Sequence, residues 1–461
     1  MKSDQKRGIS PYLLVILSFV FVILIGALIL TFPFSQKSGQ WGEFIDSLFV
    51  ATSATCVTGL CTYKEGIGGQ LTFIGQLTVL ILIQIGGLGF ITVLTFLITL
   101  FKKRLQFKNR YFLSQAVGST SFAAVIKFVR KLILISFIIE LIGFLLFIPA
   151  FYTIYKNDPK MLIWSSIFTS ISAFNNAGFD IFGSTSLIRD VGNVAMDSLP
   201  SWAYYYICSV IMLLITFGGL SFLVIMEMFS FKKKPKQYKA FTKIVILTSF
   251  ILLVGGCALL MLTDGMKSTN RISLFDALFQ SVTCRTAGFA NFNQENLSTG
   301  GYVVSCLLMF VGGSPLSTAG GIKTTTAFII VLAIFCYLRG KKVVAFKRSY
   351  SSNMILKAMS LVFIAAILIA VSFVGIGLFE RNNPLCEDGE KLMFEVVSAF
   401  GTVGLSANLT PTLALGSKII LILLMFLGRL GPITFFQIFQ NSIDKEEKIH
   451  FKYVEEDFLI G

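Results

Sequence analysis

The hexapeptide Thr55-Cys56-Val57-Thr58-Gly59-Leu60 returns three times in altered form: Phe174-Asn175-Asn176-Ala177-Gly178-Phe179, Cys284-Arg285-Thr286-Ala287-Gly288-Phe289 and Phe400-Gly401-Thr402-Val403-Gly404-Leu405. The four segments align without gaps, and Leu or Phe follows every glycine. Ten residues before the glycines stand Phe49, Phe168, Leu278 and Phe394; six before them stand Ser53, Ser172, Val282 and Ser398. Successive glycines lie roughly 110 to 120 residues apart, a period that marks a tandem repeat. The spacing predicts four units, at 1–110, 111–238, 239–347 and 348–461.

The sequence around these turns is that of a membrane protein. Of 461 residues, 55% are hydrophobic and 14% charged, where soluble domains carry about 25% charged residues. Eight long apolar stretches, each near the roughly 20 residues that cross a bilayer, lie at about 11–32, 71–101, 132–152, 202–231, 244–263, 302–338, 358–379 and 419–439. The first has basic residues before it but no small-residue cleavage site, so it reads as a retained span rather than a signal peptide. The linkers after the second, fourth and sixth stretches are basic: Lys102, Lys103, Arg104, Lys108 and Arg110; Lys232, Lys233, Lys234, Lys236 and Lys239; Arg339, Lys341, Lys342, Lys347 and Arg348. The positive-inside rule makes these linkers cytoplasmic, and Lys2, Lys6 and Arg7 place the N-terminus with them. An even number of crossings returns the C-terminus to the same side. The net charge of +15 therefore marks orientation, and no basic run is interleaved with aromatics as nucleic-acid binding would require. The eight cysteines include no C-x-x-C pair and His450 is the single histidine, which excludes zinc centres, dithiols and histidine-based catalysis.

Each unit reads as span, short amphipathic helix, glycine turn, span. With both spans anchored to the inner side, the short helix must enter from outside and turn back. Irregular backbone at membrane depth persists only where protein buries it or a watery path runs along it. Four such turns on one axis would aim the carbonyls of Val57, Thr58, Gly59, Asn176, Ala177, Gly178, Thr286, Ala287, Gly288, Thr402, Val403 and Gly404 into one lumen. That arrangement replaces the hydration shell of a monovalent cation. The fold class predicted is an all-α integral membrane protein of eight transmembrane helices, in four span–pore helix–span repeats around a pseudo-fourfold pore. No acid stands in any of the four turns, which leaves selectivity to carbonyls and hydroxyls.

The run Gly312-Gly313-Ser314-Pro315-Leu316-Ser317-Thr318-Ala319-Gly320-Gly321 interrupts the sixth stretch with four glycines and a proline. It predicts an unwound segment below the third turn, near mid-membrane, where a broken span lines or plugs a cavity; close helix packing through small residues is the alternative. Gly86-Gly87-Leu88-Gly89 and Gly218-Gly219 hold fewer breakers and suit packing equally well. Charges inside spans face water or a partner. Arg429 and, beside the broken run, Lys323 read as fixed cations that repel a permeating ion; Glu140 lies in the third stretch, and Glu227 near a cytoplasmic end suits pairing with a basic neighbour.

With these motifs the chain resembles the Trk/Ktr/HKT potassium transporter superfamily, and within it the membrane subunits of bacterial Ktr uptake systems. The resemblance runs from about residue 11 to the C-terminus. It is carried by Ala54-Thr55-Cys56-Val57-Thr58-Gly59-Leu60, Arg285-Thr286-Ala287-Gly288-Phe289, the run from Gly312 to Lys323, and Gly428-Arg429-Leu430-Gly431-Pro432. It implies potassium uptake across the bacterial cell membrane, with the filter facing outside, sodium possible as a co-ion and no cofactor in this chain. Some members carry serine at the first filter glycine, which is associated with sodium passage; Gly59 favours potassium. It further implies that Gly312, Gly313, Ser314, Ser317, Thr318, Gly320 and Gly321 form an intramembrane gate, with Leu316 a departure where many relatives have a small residue. The implied partners are a second copy of the chain, as a homodimer, and a cytosolic ring of nucleotide-binding, RCK-type regulatory subunits, reached through the basic linkers and the tail 445–457. The chain itself has no phosphate-binding glycine motif. A rocking-type carrier for another monovalent cation is the alternative reading, against which four parallel copies argue. An enzyme would need convergent His, Asp or Glu groups at membrane depth, and these are lacking.

Overall fold

Short polar punctuation sets the helix starts. Asp158 caps the helix beginning at Pro159 by accepting from the backbone N–H of Lys160 and Met161, both at 3.1 Å. Ser273 and Asp276 form a reciprocal capping box, which satisfies donors that a helix start leaves unpaired. The computed structural model describes residues 11–89, 122–183, 186–188, 199–230, 237–267, 271–381, 383–386 and 388–431. The basic residues at 102–110 and 232–236, the N-terminal lysines, Pro432 and the tail 445–457 lie outside the described residues.

The helices are α1 (Pro11–Thr31), α2 (Phe44–Cys56), α3 (Gly66–Gln70), α4 (Phe73–Leu88), α5 (Phe122–Ile154), α6 (Pro159–Phe174), α7 (Ser201–Gly219), α8 (Phe222–Met228), α9 (Ala240–Thr263), α10 (Leu274–Thr283), α11 (Thr299–Phe310), α12 (Thr324–Leu338), α13 (Ser352–Phe379), α14 (Gly389–Gly401) and α15 (Leu415–Leu430). A hairpin of two-residue strands, Val344–Ala345 and Arg348–Ser349, joins α12 to α13. Among the described residues, four helices are long and apolar enough to cross a membrane: α5, α7, α9 and α13. Many of their side chains are large, apolar and exposed, among them Phe137, Phe250 and Phe363, as lipid contact requires.

The short helices α2, α6, α10 and α14 lead into the four glycine turns. Each packs against the long or apolar helix that precedes it: α1, α5, α9 and α13 respectively. The helix after each turn reaches across to the next unit, so that α4 packs on α6, α7 on α10, α11 on α14, and α15 back on α2. This order of contact closes on itself. A polar clasp marks every seam: Trp164 Nε1 donates to Gln76 Oε1 at 2.7 Å, Tyr204 to the Asn291 carbonyl at 3.2 Å, Asn408 to Glu295 at 2.8 Å, and Lys418 pairs with Asp46 at 2.6 Å.

One question the sequence left open is answered, and one expectation needs correction. Among the described residues, the helices after the turns end or part at the glycine runs of the other three units as well. α4 ends at Gly89 and α15 at Gly431, both with positive φ (79° and 82°), and the stretch from 202 to 231 splits at Leu220 between α7 and α8. The signal stood in Gly86-Gly87-Leu88-Gly89, Gly218-Gly219-Leu220-Ser221 and Gly428-Arg429-Leu430-Gly431, which occupy equivalent places. Packing and breaking go together here. A Cβ on Gly86, Gly218 or Gly428 would lie 2.0, 1.9 or 2.0 Å from the carbonyl of Thr55, Phe174 or Phe400.

The gap-free alignment fails at α10. Phe49, Phe168 and Phe394 are fully buried, but in the third unit Phe279 is fully buried and Leu278 only partly so. The helix is shifted by one residue relative to the turn. Thr58, Ala177 and Val403 donate their N–H five residues back, to Ser53, Ser172 and Ser398, whereas Ala287 donates four back, to Thr283.

Candidate functional site

Two residues in each turn adopt left-handed backbone. These are Val57 and Gly59, Asn176 and Gly178, Thr286 and Gly288, Thr402 and Gly404, with φ between 50° and 103°. Side chains with a Cβ rarely take this region, so the turns must be over-determined by their surroundings. Hydroxyls at the ends of the short helices supply part of that constraint. Ser53 Oγ accepts from Gly59 N–H and Ser398 Oγ from Gly404 N–H, each at 3.1 Å. Ser172 Oγ donates to the Phe179 carbonyl at 2.5 Å, and Thr283 Oγ1 to the Phe289 carbonyl at 2.8 Å. Val282 stands at the serine position in sequence, and the register shift brings Thr283 to its task.

The four turns touch one another in cyclic order. A Cβ on Gly59 would lie 2.6 Å from the carbonyl oxygen of Ala177, on Gly178 2.6 Å from that of Ala287, on Gly288 2.5 Å from that of Val403, and on Gly404 2.0 Å from that of Thr58. Glycine is required because a neighbouring backbone carbonyl occupies the space a side chain would take. The four glycines line one cavity of about 430 Å³, together with Leu60, Phe179, Ala290 and Leu405. Asp180 borders it. Its carboxyl is pushed up to about 6 by burial, an effect offset by hydrogen bonds from Ser186 Oγ and Phe182 N–H. The hydroxyls of Thr58 and Thr402 are buried and have no protein partner. Such a group costs about 1–3 kcal/mol when left unpaired, so both suit a ligand that brings its own coordination.

On the other side of the turns runs the non-helical segment between α11 and α12. A Cβ on Gly312 would stand 3.0 Å from Thr286 Cγ2, and one on Gly320 would stand 2.0 Å from Thr402 Oγ1. The segment thus lies against the third and fourth turns. It is held by its backbone: Ser314 N–H donates to the Gly219 carbonyl at 3.1 Å, and Thr318 donates to the Gly218 carbonyl from N–H at 3.2 Å and from Oγ1 at 2.9 Å. The Leu316 carbonyl accepts from Phe222 N–H at 3.0 Å. Leu316 itself has φ 57° and stays exposed, so the non-glycine residue is accommodated at the apex. Ser317 Oγ donates to the Ser314 carbonyl at 2.7 Å, while Ser314 Oγ is buried without a partner.

The two cations read as a barrier are bound to backbone oxygens. Arg429 donates through Nη1 to the Thr318 carbonyl and through Nη2 to the Gly86 carbonyl. It therefore ties the broken segment to the end of α4. Lys323 donates to the carbonyls of Ala319 and Gly320, at 2.7 and 3.3 Å. Sequence spacing located both residues but carried no sign of these acceptors, which come from distant elements or from an irregular turn. Glu227 accepts from Thr242 Oγ1 at 2.5 Å and from Lys239 N–H at 3.3 Å.

Comparison with known proteins agrees with this arrangement. Among curated proteins, the chain is 35% identical to the potassium/sodium uptake protein NtpJ of Enterococcus hirae, covering 100% of this chain and 99% of that one. It is 34% identical to the Ktr system potassium uptake protein B of Bacillus subtilis, over 98% and 97% of the two chains. The crystal structure of the potassium transporter TrkH from Vibrio parahaemolyticus superposes with a TM-score of 0.67 at 18% identity, covering 95% of this chain and 86% of that one, a likeness of fold. The sequence model of the family described as TrkH, cation transport protein, matches residues 3–448. With nearly the whole chain matched, and its glycine turns closed on one another in cyclic order, the protein belongs to the TrkH family of cation transport proteins and is a membrane transporter, not an enzyme.

Proposed function

We propose that the chain takes potassium into the cell through a filter made of the backbone carbonyls of Val57, Thr58, Gly59, Asn176, Ala177, Gly178, Thr286, Ala287, Gly288, Thr402, Val403 and Gly404. The observation that carries this reading is the cyclic contact of four glycines with four carbonyls. Backbone carbonyls gathered round one axis repel one another, and a dehydrated cation among them relieves the repulsion. The names of the two relatives support potassium as substrate, and one of them supports sodium as a second ion. Rubidium uptake by potassium-auxotrophic cells tests it: expression of this chain should restore uptake, and potassium should compete better than sodium. Failure of potassium to compete would sink the assignment.

Four span–pore helix–span units, eight crossings in all, supply the scaffold in this reading, with both termini cytoplasmic and the 430 Å³ cavity facing outward as the mouth. Residues 312–321 then lie on the cytoplasmic side of the filter as a gate, and Lys323 and Arg429 hold it shut through its carbonyls. A ring of nucleotide-binding subunits acting on a homodimer of this chain moves the gate; a relative's name as one protein of a system supports such a partner. The hairpin between α12 and α13, with Arg339, Lys341, Lys342, Lys347 and Arg348, is a contact surface for it. In a cysteine-free background, Lys108→Cys, Lys234→Cys and Lys342→Cys are expected to resist an impermeant thiol reagent in intact cells and to react once the membrane is opened. Labelling of any one from outside would overturn the orientation.

A further inference from the structure

A buried carboxylate at the seam of α4, α5 and α6 has no place in the ion path. Glu140, on α5, is 6% exposed. Its Oε1 accepts from Gln84 Nε2 of α4 and from Asn175 Nδ2, both at 3.0 Å, and Oε2 accepts from the same Gln84 nitrogen at 3.1 Å. Asn175 Nδ2 also donates to Gln84 Oε1 and to the Ile171 carbonyl, each at 2.9 Å. Ser170 Oγ, on α6, donates to the backbone carbonyl of Glu140 at 2.6 Å. Gly87 makes room for the cluster, since a Cβ there would lie 2.0 Å from Asn175 Oδ1.

Asn175 ends α6 and directly precedes Asn176, the left-handed residue of the second turn. The torsions of these two residues set where the next carbonyls point, so whatever holds the Asn175 side chain limits how the turn can rotate. The third unit carries an independent counterpart. Arg285 stands three residues before its glycine, as Asn175 does, and its Nη2 donates to Ser249 Oγ of α9 at 3.1 Å. Ser249 is 36 residues earlier and Glu140 is 35 residues before Asn175. Two units thus use a polar side chain of the preceding membrane helix to grip the same turn position with different chemistry.

We propose that Glu140 is a positioning residue for cation selection: through Asn175, and with Gln84 as its brace, it aims the carbonyls of Asn176 and Ala177. This rests on the reading of the second turn as part of the filter. Glu140→Leu leaves the Gln84 amide without its acceptor, takes one of three acceptors from Asn175 and so loosens the turn; Glu140→Gln keeps an acceptor oxygen. In rubidium uptake by potassium-auxotrophic cells, Glu140→Leu is expected to raise the KM by about tenfold and to lower the preference over sodium, with Vmax changed far less. Glu140→Gln should stay within about twofold of the parent. Gln84→Leu, which removes the brace and leaves the acid, should raise the KM by about threefold and serves where Glu140→Leu does not reach the membrane. Unaltered KM and ion preference in an inserted Glu140→Leu or Gln84→Leu protein would overturn the proposal, and so would Glu140→Gln as defective as Glu140→Leu, which would assign the effect to charge. Loss of potassium uptake already in the parent chain would instead remove the filter reading on which the proposal stands.

Discussion

Gly404→Ala is expected to lower rubidium uptake by at least about a hundredfold while the protein still reaches the membrane, because it fills the tightest contact in the ring of turns. The added methyl would stand 2.0 Å from the Thr58 carbonyl oxygen, and the backbone there has φ 94°. Neither the carbonyl nor the turn can move aside without spoiling the geometry of both units. Gly59→Ser is the milder test. Its Cβ would meet the Ala177 carbonyl at 2.6 Å, and the hydroxyl adds a ligand that suits a smaller, more strongly hydrated ion. The preference for potassium over sodium should then fall by about tenfold. Uptake assays with sodium as competitor measure both variants, and wild-type selectivity in an inserted Gly59→Ser protein would remove Gly59 from the filter.

Removing residues 314–319 is expected to raise ion flux by tens of fold and to cancel most of its dependence on a nucleotide-binding partner. The segment is held by a handful of hydrogen bonds: Ser314 and Thr318 donate to the carbonyls of Gly219 and Gly218, Phe222 donates to the Leu316 carbonyl, and Arg429 bridges the Thr318 carbonyl to that of Gly86 on α4. A segment held by so few contacts differs from a displaced state by only a few kcal/mol, the range over which ligands shift populations. Arg429→Ala cuts that bridge without widening the path, so flux should rise only a few fold, with the partner's influence reduced. Flux in reconstituted vesicles, with and without nucleotide, separates the two variants. No rise from an inserted deletion protein would make the segment a packing element and place the gate elsewhere.

The turns were legible in the sequence because their constraint is local. A backbone that needs positive φ beside a neighbour's carbonyl leaves few residues to choose from, and glycine marks the place four times. The partner left-handed positions were not legible, since Val57, Asn176, Thr286 and Thr402 carry side chains that ordinarily avoid that region. At α10 the register was hidden for a different reason. Leu278 and Phe279 are both apolar, so hydropathy could not choose between them, and only the missing hydroxyl at Val282 hinted that Thr283 had moved into place. The partners of Arg429 were not legible because its acceptors, the carbonyls of Thr318 and Gly86, are 111 and 343 residues away along the chain. Backbone acceptors leave no signature in residue types.

The seam between α15 and α2, clasped by Lys418 and Asp46, joins the two ends of the polypeptide. About 350 residues separate Gly59 from Gly404, and at synthesis speeds of roughly 5–20 residues per second the first turn exists for some tens of seconds before the last one is made. During that interval its left-handed backbone has no neighbour on one side. Until the last turn emerges the first can close on the second alone, so completion of the ring waits on the final unit. A ribosome stalled within the last unit would release a product with three turns and an open flank, and quality-control proteases should meet it as an unfinished membrane protein.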